Sequence, residues 1–122
     1  MEFNNMINEL FIQFPVLSSV YEDEGDHIEN LQHLTYGIVF VPFIRQSVCV
    51  NDQNAIRRIC DFMECMAGSD DSLVSELLAV SVLESMLSER ELINSLKQYL
   101  GTETLNILSV MEKEYGWESL NE

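Results

Sequence analysis

Proline and glycine are scarce in this 122-residue chain, with two and five copies. The shortage of turn formers argues against an architecture of many short strands and leaves long uninterrupted stretches for helices. Basic residues are scarce too: six lysines and arginines face 21 acids, for a formal net charge of −15. A field of that sign repels phosphate backbones, so no direct nucleic-acid binding is expected. Anionic membrane surfaces are disfavoured for the same reason. No apolar run approaches the ~20 residues that span a bilayer, and the opening MEFNNMINEL lacks the basic region of a signal peptide. The expected compartment is the cytoplasm.

The cysteines Cys49, Cys60 and Cys65 are odd in number and have no CxxC spacing, which suits a reducing compartment and no disulfide framework. All three are expected to be small buried hydrophobes. Catalytic patterns are missing as well. There is no GxSxG, P-loop, GxGxxG or HExxH, and Asp61 and Glu64 beside Cys60 and Cys65 would raise a thiol pKa. His27 and His33 stand six apart, which is not a helical metal-pair spacing. A calcium-loop reading from Glu22 puts histidines where glycine and glutamate are required. No catalytic residue, metal ligand or cofactor is expected, and the chain does not read as an enzyme.

What is present is a core. Hydrophobic residues make up 47% of the chain, enough for one domain over 1–122, with a core over 14–115, an acidic loop over 21–30 and a tail over 116–122. Helical spacing predicts helices over 4–14, from Asn51 or Asp52 through 67, over 73–87, over 88–100 and from 102 or 103 to 115. Asp52 and Asp70 to Ser72 supply caps, and Ser88 with Glu91 spells a capping box. The helix over 73–87 is apolar around most of its circumference, with Leu73 and Val80 among its hydrophobic positions, and is expected in the middle of the fold. The last helix should turn Leu105, Ile107, Leu108 and Met111 inward. The run at 37–44 is β-branched like a strand, yet Pro42 cannot sit in a central strand and no partner strand is available. It is read as a helix kinked at Pro42, or as two short helices meeting there. The expected fold is all-α, with five to six antiparallel helices in a compact bundle or short HEAT-like stack.

The charge has two concentrations. Glu22, Asp23, Glu24, Asp26 and Glu29 fall within eight residues beside Tyr21. Asp61, Glu64, Asp70 and Asp71 form a second candidate patch along and after one helix. A tyrosine beside clustered carboxylates suits lysines and arginines of a partner. The competing reading is a solvated surface whose charge serves solubility.

The segments 33–37 (HLTYG), 61–67 (DFMECMA), 77–84 (LLAVSVLE) and 99–104 (YLGTET), in this order, resemble the small acidic helical immunity proteins of bacterial contact-dependent growth inhibition and related polymorphic toxin systems. The resemblance spans about 14–115. It implies a helical fold and one-to-one binding to a basic toxin domain, a nuclease acting on RNA, and it carries over no binding residues. The alternative function is a helical regulatory or scaffold module with no toxin partner.

Overall fold

The computed structural model describes residues 1–18 and 32–115. Within them lie six helices and no strand, an all-α fold. A 3-10 turn over Phe3–Asn5 leads into α1, Met6–Gln13. Helix α2 covers residues 32–49, α3 is Gln53–Ala67, α4 covers 72–86, α5 is Arg90–Lys97 and α6 is Thr102–Glu114.

The segment at 37–44 is helix. Tyr36–Phe40 forms a π-helical stretch in which the Val41 N–H reaches the Tyr36 carbonyl, and Val41–Cys49 continues as α-helix with Pro42 in its first turn. Neither a simple kink nor a break is needed. The wider turn ahead of Pro42 absorbs the missing N–H, because proline is tolerated in the first turn of an α-helical segment. A second π-helical stretch, Leu78–Leu83, lies within α4 and packs against the first. His33 Nδ1 and Ser81 Oγ share a hydrogen bond of 2.6 Å at that contact.

Between α2 and α3 the chain turns through Asn51, at φ 56°. The Asn51 and Asp52 amides donate to the carbonyls of Val48 and Ser47 at 3.0 and 2.9 Å. This is a Schellman closure with asparagine where glycine is usual. Asp52 then caps α3 by accepting from the Ala55 amide at 3.1 Å. Asp71 caps α4 through the Leu73 amide at 3.0 Å, and its other oxygen takes the Phe3 amide at 2.9 Å. The predicted capping box does not form. Helix α5 begins at Arg90, its N-cap is Glu89, and no side chain caps it; Ser88 lies one residue too early, and the Glu89 carboxylate is held by Arg45.

The core centres on aromatic rings from α2, α3 and the end of α1. Phe14, Phe40 and Phe62 meet at centroid distances of 5.7 to 5.8 Å, and Tyr36 stacks on Phe62 at 6.5 Å. The Tyr36 hydroxyl donates to the Met6 carbonyl at 2.7 Å; burial first, then the charge of Glu9, pushes its pKa far above the ordinary value. Helix α4 does contribute Val74, Leu77, Leu78, Val82, Leu83 and Met86 to the core. Two expectations of inward residues are corrected. Leu73 and Val80 are half exposed, as α4 keeps one face in solvent, and Leu105 faces outward on α6. Among the cysteines only Cys60 is buried, while Cys49 and Cys65 are exposed. Cys65 follows Cys60 by five residues on α3, which carries it off the buried face.

Candidate interaction surface

The two predicted acidic patches fare differently. Tyr21, Glu22, Asp23, Glu24, Asp26 and Glu29 lie outside the described residues, as do His27 and the tail from 116. Asp61 on α3 and Asp70 in the turn before α4 are exposed. The other two members of the second patch are engaged inside the chain: Asp71 as the double acceptor described above, and Glu64 as a cap for a helix other than its own.

Glu64 reaches from α3 to the start of α6. Its Oε2 accepts from the Glu103 amide at 3.0 Å, and its Oε1 accepts from the Thr104 amide and hydroxyl, each at 2.9 Å. These are the orphan donors of a helix start, and the helix dipole favours a negative charge there. Gly101, the N-cap of α6, supplies the room: a Cβ at this position would lie 2.3 Å from Glu64 Cδ. Desolvation pushes the Glu64 carboxyl up, but the three hydrogen bonds outweigh it and hold the pKa below the usual value. Glu64 therefore leaves the surface patch. Nothing local in the sequence marks this role, because donor and acceptor are about 40 positions apart; the only signal is a glycine opening a helix without a polar cap.

The basic residues explain the surface better than the acids do. Arg45 forms a fork on Glu89, with Nη2 to Oε2 at 2.8 Å and Nε to both oxygens at 3.0 and 3.1 Å; that hydrogen bonding is the main reason its pKa is raised. Arg58 donates to the Gln13 carbonyl and sits over the Phe14 ring at 5.3 Å. Arg90 and Lys97 of α5 both hold Glu112 of α6, a largely buried carboxylate, with Lys97 Nζ at 3.0 Å. Here too desolvation raises the carboxyl, and the bonds to Arg90 and Lys97 reverse it, so the pKa falls below the usual value. Four of the six cations are thus tied to the fold. Meanwhile Asp61, Asp70, Glu76, Glu91 and Glu103 face solvent with no cation on them among the described residues.

A concavity lies between α2 and α5. It is an open groove of about 280 Å³ with Val48 and Leu92 on its apolar side. The Arg45–Glu89 fork crosses one wall, and Cys49, Glu91 and Ser95 complete the lining. Sequence reasoning named Cys49 and Glu91 for other roles and did not join these residues into a site, because the groove exists only once two helices about 40 positions apart are packed. Among the described residues no three His, Cys, Asp or Glu side chains are disposed to hold a metal ion. No helix among them is long and apolar enough to cross a membrane.

The described residues define an all-helical domain in which four of the six cations make contacts within the chain and several acidic side chains face solvent unpaired. The chain belongs to the family described as Domain of unknown function (DUF7674), which it matches over residues 7–116. No curated protein and no solved structure matches it.

Proposed function

We propose that the protein is a binding module for a basic protein partner and, in its most specific form, a cytoplasmic immunity protein that binds a cognate toxin nuclease one-to-one and neutralises it. The observation that supports this reading is the disposition of charge. Four of the six cations are held in contacts within the chain, and Asp61, Asp70, Glu76, Glu91 and Glu103 face solvent with no cation on them among the described residues, in a chain of net charge −15. Such a surface accelerates encounter with a basic partner and repels nucleic acid, so an inhibitor of this kind covers a phosphate-binding cleft without competing for the phosphate itself. The resemblance to acidic immunity proteins points the same way.

A second reading, a helical regulatory or scaffold module, draws on the apolar side chains Ile12 and Val16, which stand 67% and 66% exposed near the end of α1. Co-expression with the toxin domain encoded beside the gene separates the two. Cell survival with a one-to-one complex whose association slows as salt rises is the result expected. Cell death without a complex sinks the immunity reading, and binding indifferent to salt transfers the case to the scaffold reading.

A further inference from the structure

We infer that the groove between α2 and α5 is a receptor subsite for one arginine or lysine side chain of the basic partner; this deepens the reading above and rests on it. Three features of the groove agree on that occupant. Its apolar side, Val48 and Leu92, is part of the surface packed against the core, and it offers a bed for an aliphatic stem. Long basic side chains lay their methylenes on such surfaces while the charged head stays at the rim. The rim charge selects the sign. Arg45 is already neutralised by its fork on Glu89, so the uncompensated charge at the groove is Glu91, exposed at the start of α5. An incoming guanidinium or ammonium thus finds a free carboxylate beside an apolar bed. A carboxylate or phosphate entering the same groove meets Glu91 and the field of the whole chain, both repulsive.

Glu89 adds shape to the site. Its oxygens are fixed by three hydrogen bonds from Arg45, so one wall is a planar, pre-ordered ion pair. A second guanidinium stacks well on such a surface or shares its outer oxygen. Ser95 Oγ donates to the Glu91 carbonyl at 2.9 Å, which leaves the Glu91 side chain free to meet the ligand.

The groove carries its own reporter. Cys49 lines it, and Cys65, also exposed, lies on α3 and is not part of its lining. The experiment follows iodoacetamide alkylation of both thiols in the intact protein at low salt, with and without a capped tetra-arginine peptide. Binding is measured in parallel by fluorescence anisotropy of a labelled copy. With peptide at about ten times its Kd, alkylation of Cys49 should slow about tenfold by mass action, with Cys65 changed less than about twofold. Glu91→Gln should weaken the peptide by about threefold or more, and the distant control Glu76→Gln by less. Equal slowing of both thiols, or equal weakening by both substitutions, overturns the subsite and leaves the acidic surface as a diffuse attractor, so the basic-partner reading survives. No detectable binding to the wild-type protein at low salt overturns both.

Discussion

Glu64 and Glu112 hold the two ends of α6, and they hold them by different physics. Glu64 meets the N-terminal end with two backbone amides and a hydroxyl, all neutral donors in fixed geometry. Glu112 lies in the last turns of the same helix and meets two cations projecting from α5. The first contact depends on shape and fails if anything occupies the space over Gly101. The second depends on charge and fails if the carboxylate is neutralised. In the sequence the two glutamates look no different from Asp61 or Glu91, which remain in solvent. Acid count alone therefore overstates the surface available to a partner, and cation placement corrects it.

The largest effect expected from breaking this pair is at Glu112. Replacement by alanine leaves Arg90 and Lys97 facing a hole and should cost about 2–3 kcal/mol in urea unfolding. That is less than a fully buried pair would cost, because the two cations keep 21% and 33% of their side chains in water. A loss below about 0.5 kcal/mol would show the cluster to be ornamental. Next comes Gly101→Ala, at about 1–2 kcal/mol, because the new methyl displaces Glu64 from its amides. The sharper form is a double-mutant cycle: in a Glu64→Ala background the Gly101→Ala change should become nearly neutral, a coupling of about 1 kcal/mol. Additive costs would mean that the glycine is needed for its backbone and not for the carboxylate above it.

Acid should weaken both ends. Both carboxyls have folded pKa values below their ordinary range, so each contributes stability above the unfolded glutamate pKa near ~4.3 and loses it as pH falls through the folded value. Relief of the −15 self-repulsion acts in the opposite direction, so the comparison is between wild type and Glu112→Gln. Their difference in stability should be largest near neutrality and close as the pH drops below about 4. A difference that holds constant to low pH would assign the effect to shape. The smallest effect belongs to Glu91→Gln, which should leave the free energy of unfolding within about 0.5 kcal/mol of wild type, because no hydrogen bond or ion pair of the described residues uses that carboxylate. A larger loss would place Glu91 with the structural acids.

How much of this was legible in the sequence follows the range of each interaction. The helices α1, α3, α4 and α6, the caps at Asp52 and Asp71 and the all-α class come from contacts within a few residues, and period and capping chemistry report them. The Ser88–Glu91 box met the local pattern, but the helix starts one residue later, with Glu89 at its N-cap and the Glu89 carboxylate bound to Arg45. The π-helical stretches have no pattern of their own. Pro42 signalled a disturbance in α2, and the sequence read it as a kink or as a junction of two short helices. Glu64 over Gly101, and the groove itself, depend on residues about 40 positions apart. The exposure of Cys49 and Cys65 turned on which face of each helix was already taken.

The contrast among the cysteines gives the molecule an internal clock. Cys60 is almost wholly buried on α3, and burial, with Asp61 second, pushes its thiol up to about 12. In the closed state it is shielded from alkylating reagents, so the rate at which it reacts counts the moments when α3 swings free of its neighbours. Where reclosing outruns the chemistry, that rate divided by the rate of an unshielded thiol is an opening equilibrium constant. One chain thus registers what touches its surface at Cys49 and Cys65 and how often its centre opens at Cys60, with no added label.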